Sequence, residues 1–219
     1  EPVADMDQKL FIDITRFERH SVVAEQSGDV TVNANDVAMR FLLLDVVDEF
    51  NTLHPLAKLR LRLRSLDNAI EELLHGAATL AVFPSPHVRP ADLCFTPIQS
   101  YAPSLIMAKG YPMAVPATHA FEKILSSETT RRYPFVVTED QLQSHAVERS
   151  LTMLGIEFNV GLEVGTLESM KDYVARGGAI ALVSGLCIEA TDYQRFDIVP
   201  VPAVYGGETS YGILQHRYR

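Results

Sequence analysis

Apolar and polar positions along the chain fall into two alternating patterns. Short apolar runs are followed by longer segments whose apolar residues recur every three or four positions, the signature of strands alternating with amphipathic helices. The clearest block spans residues 160–183, VGLEVGTLESMKDYVARGGAIALV. Its first apolar run ends at Gly165-Thr166, and Leu167, Met170 and Val174 then mark one helix face. Arg176-Gly177-Gly178 stop that helix, and residues 179–183 form a second apolar run. The spacing predicts strand, helix, strand, the crossover unit of an α/β sheet. Thr166 falls at the helix N-cap, beside backbone N–H groups that lack intrahelical partners, where an anion or polar ligand is well received. The segment contains no nucleophile–base pair, which favours binding over chemistry.

The same alternation organises the rest of the chain. Residues 8–26 carry Leu10, Phe11, Ile14 and Phe17 at near-helical spacing, as the end of a linker helix does, and Gly28-Asp29 break the pattern. Residues 30–33 read as a first strand, and Asn33, Ala34, Asn35 and Asp36 as a polar corner. Residues 37–50 read as one strong helix capped by Asn35 or Asp36. Residues 59–63 alternate Leu and Arg, giving a strand with one wet face or a face covered at an interface. A helix over 66–75 ends at Gly76, and 79–83 is a third strand. After a Pro-rich loop, residues 94–108 supply two strand pieces broken near 99–103, then a turn over 109–114 and a short helix over 118–125. A strand over 134–137 ends at Thr138-Glu139, and a helix over 141–154 is closed by Gly155. Strands over 196–202 and 209–217 complete the chain, with a turn over 205–208. The alternation occurs twice with a break near Ala108, so the expected fold is α/β in two Rossmann-like lobes. If the last strands return to the first lobe, a ligand cleft lies between the lobes, outside strand carboxyl ends.

Composition narrows the function. The 219 residues suffice for one good core or two small lobes. A formal net charge of -9 sets the domain against phosphate backbones, so any DNA contact needs a basic region elsewhere. Cys94 and Cys187 lie in apolar, strand-like contexts and read as buried thiols rather than a disulfide. No apolar run approaches 18 residues. Glu1 in place of an initiator methionine marks the chain as processed or as a piece of something longer. The seven histidines show no metal-ligand spacing on one helix, Ser184-Gly185 lacks the flanks of a nucleophile elbow, and no phosphate-binding or dinucleotide fingerprint is present. No catalytic residue, metal or cofactor is assigned.

Several segments together carry a resemblance. Residues 29–63, with a strand, a polar corner and FLLLDVVDEFNTLHPLAKLRLRL, resemble the opening of the effector-binding domain of LysR-type transcriptional regulators, including the helix-ending Phe50 and the His54-Pro55 turn. IMAKGYPMA (106–114) is similar to that family's crossing segment, with Tyr111 for the usual histidine and Met113 for leucine. VARGGAIALV (174–183) is similar to its last glycine-rich motif, with Ser184 in place of proline, and Thr79 stands about where the family has aspartate. The resemblance covers about 190 residues, from Asp29 onward. It implies a two-lobed fold like type II periplasmic binding proteins: a linker-helix remnant over 1–28, lobe I over 29–107 plus 195–219, and lobe II over 108–194. It also implies a small-molecule effector, a homodimer built on helices 37–50 and 141–154 (a tetramer in the full-length protein), a cytoplasmic setting and no membrane. DNA is then contacted only through an N-terminal winged helix-turn-helix lying outside this sequence.

Carried onto this chain, the family's pocket has four corners: Asn33 and Asn35; Gln99, Ser100 and Tyr101; Thr138; and Gly165 with Thr166. Each has a plain structural alternative, namely helix caps for Asn35, Thr138 and Thr166 and a surface bend for 99–101. Asp36 disfavours a carboxylate at the first corner unless it faces away or meets a ligand amine. No lysine or arginine stands out in the expected crevice, so a polar ligand or small carboxylate would be held by backbone N–H groups and hydroxyls. The principal rival is a solute-binding protein of a transport system, and a small enzyme using the cleft is a third reading.

Overall fold

The computed structural model describes residues 29–86, 88–111, 127–139, 141, 148, 151–152, 155–203 and 207–218. The expected linker helix, the short helix over 118–125 and most of the helix over 141–154 lie outside these residues, as do parts of the turns over 109–114 and 205–208.

The chain forms two units. The first ends at Ser100 and resumes at Ser210, and the second runs from Tyr101 to Thr209. In the first, a five-stranded sheet has the order β2-β1-β3-β10-β4. β1 (Asp29–Ala34) lies parallel to β2 (Lys58–Leu63) and β3 (Leu80–Pro84), whereas β10 (Thr209–His216) runs antiparallel to β3, next to β4 (Leu93–Tyr101). β1 is interior, and its consecutive residues Val32 and Asn33 are both buried, as expected of a strand covered on two faces. β2 is the edge strand, and its Leu-Arg alternation leaves most positions only half-buried.

The helix expected over 37–50 is longer and is not uniform. Asp36–Ala38 (α1) leads into a π-helical turn, Met39–Leu43, and then into α2, Leu44–Leu53. The extra residue per turn shifts the apolar phase, which brings Ala38, Leu42, Leu43, Val46 and Phe50 into the core. A sequence with eight large apolar residues in the twelve positions 39–50 could not seat all of them on one regular stripe. Helix α3 (Leu66–Leu74) packs Ala69 and Leu73 against Phe83, Leu93 and Leu214.

The second unit repeats the strand order. β6 (Phe135–Thr138) lies parallel to β7 (Val160–Val164) and β8 (Ile180–Ser184), and β5 (Pro103–Ala108) runs antiparallel to β8 and β9 (Phe196–Pro200), giving β7-β6-β8-β5-β9. Its helices include α4 (Ser127–Arg132), α5 (Leu167–Val174) and α6 (Asp192–Arg195), with a 3-10 turn at Gly185–Cys187. Leu105, Met107, Phe135, Val137, Ile180 and Leu182 form its core.

Three expectations need correction. β5 and β9 belong to the second sheet, so the lobes divide at 100/101 and 209/210 and not at 107/108 and 194/195. The reason is pairing: β5 runs between β8 and β9, and Leu105, Ile106 and Met107 are consecutive and all fully buried, as in a strand covered on both faces. The break in the 94–108 segment is a single residue, Ala102, and Gln99, Ser100 and Tyr101 are in β4 and not in a bend. Neither cysteine is in a disulfide, but Cys94 is only half-buried and Cys187 sits in the 3-10 turn and not in a strand.

Candidate functional site

In each unit the parallel strands end at the same edge of the sheet, because parallel register forces their carboxyl termini together. In the second unit Thr138, the last residue of β6, is the register partner of Val164 at the end of β7. Gly165 and Thr166 follow immediately, so Thr138 lies about one strand spacing, roughly 5 Å, from that corner. Ser184 closes β8 on the far side of β6 at the same edge.

Each of these residues also organises the segment that follows it. Thr166 is the N-cap of α5; its Oγ1 accepts from the Ser169 N–H at 3.2 Å, and its hydroxyl lies 3.0 Å from Ser169 Oγ. Thr138 begins a capping-box pattern: its N–H donates to Gln141 Oε1 at 3.1 Å, and Gln141 Nε2 donates to the Leu182 carbonyl at 2.7 Å. Gln141 thereby ties the ends of β6 and β8 together. Ser184 Oγ accepts from the Leu186 N–H. Gly165 is exposed, and a side chain added there would meet nothing within 4 Å, so its backbone is open to a ligand.

The first unit repeats the arrangement. Asn35 follows β1, is buried, and its Oδ1 accepts from the Ala38 N–H at 2.9 Å. Ser65 follows β2 and caps α3 through the Asn68 N–H. Asn33 is different in kind. It is fully buried within β1, and its Nδ2 donates to Glu72 Oε2 at 3.0 Å. Arg64 Nε donates to Glu72 Oε1 at 2.7 Å, and Arg62 lies 3.5 Å from the same carboxylate. The Arg64 hydrogen bond, followed by that from Asn33, holds the Glu72 carboxyl below its usual value.

The structure therefore brings Thr138 together with Gly165 and Thr166, and sets Asn33 and Asn35 two positions apart at the end of β1. It does not bring Gln99 and Ser100 beside Asn35 within the first unit, because β3 and β10 lie between β4 and β1. Ser65, Ser184 and Gln141 were missed. All three carry a readable signal, a small hydroxyl residue where a strand hands over to a helix or turn, or a Gln three residues after a Thr cap. Among the described residues, no set of three or more His, Cys, Asp or Glu side chains is placed to hold a metal ion.

Comparison with known proteins fits this geometry. Residues 24–219 match the family model for the LysR substrate binding domain, and the chain belongs to that family. It is 23% identical over 197 residues to the HTH-type transcriptional regulator SsuR of Burkholderia cenocepacia, an alignment covering 88% of this chain and 61% of that protein's length. Its fold is similar to the C-terminal domain of a probable LysR family regulator from Rhodococcus sp. RHA1 (TM-score 0.73, 16% identity, 88% of this chain and 92% of that one). It is also similar to a sulfate-bound mutant regulatory domain of OxyR2 from Vibrio vulnificus (TM-score 0.69, 18% identity, 88% and 89%). These relatives are regulators, not transport components, which removes the ground for the solute-binding alternative.

Proposed function

We propose that this chain is the effector-sensing part of a LysR-type transcriptional regulator, and that it binds a small polar or carboxylate-type metabolite without turning it over. The observation that carries this reading is the row of strand ends in the second unit, where Thr138, Gly165, Thr166 and Ser184 present hydroxyls and open backbone around helix and turn starts. Asn33, Asn35, Gln99, Ser100 and Tyr101 are further groups we assign to effector binding. An effector acts only through a difference in its contacts between two arrangements of the protein. DNA is contacted by a separate module in the cytoplasmic full-length protein. The sulfate in the OxyR2 relative makes sulfate a sensible first probe.

We further propose a homodimer through α2 and β2. That face carries exposed Leu44, Leu53 and Leu63, a small apolar groove lined by the buried Val46 and Phe50 with Val47, Leu59 and Leu61 lies beneath α2, and β2 is an edge of its sheet. Thermal-shift and calorimetric titration with inorganic oxyanions, amino acids, acyl-amino acids and aromatic acids tests the sensing reading. Saturable stabilisation by a member of one class, with the compound recovered unchanged after incubation, is the expected result. Steady product formation from a bound compound overturns it.

A further inference from the structure

Lys171 of α5 turns inward and is only 1% exposed. Its Nζ donates to the Cys187 carbonyl at 2.6 Å and to Asp192 Oδ2 at 2.6 Å, with the Glu189 carboxylate at 3.8 Å. Asp192, itself buried, also accepts the Glu189 N–H at 2.9 Å. A buried ion pair is a weak source of stability, since its desolvation offsets much of the attraction and apolar replacements often do as well. What it does supply is a directional tie between two named segments, with partners that are costly to separate.

The segments it ties are specific. One is α5, which begins at the Thr166 cap one turn before Lys171. The other is the 3-10 turn Gly185–Cys187, which begins with a close contact: the Gly185 N–H donates to the Ala102 carbonyl at 2.8 Å, and a Cβ on Gly185 would come within 2.7 Å of that oxygen. Ala102 is the single residue between β4 and β5, where the chain passes from the first sheet to the second. An unbroken series of short polar links and helix backbone therefore runs from Thr166 along α5 to Lys171, across to the Cys187 carbonyl, back to Gly185 and on to Ala102.

We propose that the Lys171–Asp192 pair mechanically couples the Thr166 corner to the crossing residue Ala102, and is the route by which occupancy of that corner reaches the connection between the units. This rests on the sensing function above and adds its path of regulation. A short helix held at its start by its cap and in its middle by a buried lysine transmits a displacement that a solvated lysine would lose. Coupling of this kind is reciprocal, so a disturbance at either end registers at the other.

Amide hydrogen exchange reads both ends without a ligand: the Ser169 N–H reports the Thr166 cap, and the Gly185 N–H reports the Ala102 contact. Thr166→Val is expected to speed exchange at Gly185 as well as at Ser169, by about fivefold or more, the lower end of ordinary coupling. That remote effect is expected to vanish in Lys171→Met/Asp192→Leu, which removes both charges together and so avoids leaving one buried and unpaired. The core amides of β6 and β8 should stay protected throughout, which a merely destabilised unit would not show. The reciprocal variant, Gly185→Ala in the native background, should speed Ser169 and answers the question even if the double replacement fails to fold. Unchanged Gly185 exchange in Thr166→Val, unchanged Ser169 exchange in Gly185→Ala, or a remote effect that persists without the ion pair overturns the proposal. Because no effector is used, these outcomes are separate from failure of the sensing reading, which is decided by titration.

Discussion

The Asn33 side-chain amide donates to the Glu72 carboxylate at 3.0 Å, joining an interior strand to a helix 39 positions further along the chain. Arg64 completes the cluster, and together the two donors depress the Glu72 carboxyl. A depressed carboxyl contributes stability that is fully present above its ordinary value near 4.5 and is lost as pH falls through the depressed folded value. Glu72→Gln is therefore expected to cost on the order of 1 kcal/mol at pH 7, a figure kept small because the cluster is partly solvated. Urea denaturation at pH 7 and again near pH 3 checks this. The gap between wild type and variant should close in acid, and a gap independent of pH would assign the effect to packing instead.

Tyr111 presents the opposite case. Burial lifts its phenol well above the ordinary value, and its hydroxyl has no hydrogen-bond partner among the described residues, although the ring packs edge-on to Tyr133. An unsatisfied buried hydroxyl is a liability, so Tyr111→Phe should be neutral or stabilising by up to about 1 kcal/mol. A denaturation midpoint that falls by more than the experimental scatter would show that the hydroxyl has a partner after all.

Lys171 and Asn33 show what the sequence could and could not reveal. Strands and helices were legible wherever one period dominated, as in Val160–Val164 followed by Leu167, Met170 and Val174. Lys171 occupies the fourth position of that same apolar stripe, yet a lysine there ordinarily extends its charge to solvent. Its burial depends on Asp192, 21 residues away, and no local pattern reports that. The Asn33–Glu72 contact is hidden for the same reason. The lobe boundary was misread because a fully apolar strand such as β5 carries no mark of which sheet receives it. At the site, hydroxyl and amide residues after strands were visible, but whether each serves as cap, ligand group or both is decided by three-dimensional register.

Leu44 and Phe50 lie on one helix and should respond to mutation differently. Phe50 is buried against His54 and the groove beneath α2, so Phe50→Ala should cost about 3–5 kcal/mol through lost burial and the cavity left behind. Leu44 is 54% exposed, and Leu44→Glu should leave the stability of the isolated chain within about 0.5 kcal/mol. Sedimentation equilibrium should nevertheless show that Leu44→Glu shifts the protein toward monomer. A dimer that tolerates glutamate there would place the interface on another face.

Thr166 offers the sharpest test of the site, because its structural and binding roles can be separated by chemistry. Its Oγ1 caps α5, and loss of such a cap costs about 1 kcal/mol whether or not a ligand is ever bound. Thr166→Ser keeps the hydroxyl and the cap and should match wild type in both stability and effector affinity. Thr166→Val keeps the shape but removes the acceptor, so it should lower stability by that amount and weaken effector binding about tenfold in calorimetry, as loss of a hydrogen bond in a desolvated site does. The second unit carries most of its core in β5, β6 and β8, and should remain folded. If Thr166→Val shows the stability loss with unaltered affinity, the hydroxyl serves the helix alone, and the effector is held at this edge by Gly165 backbone and Thr138.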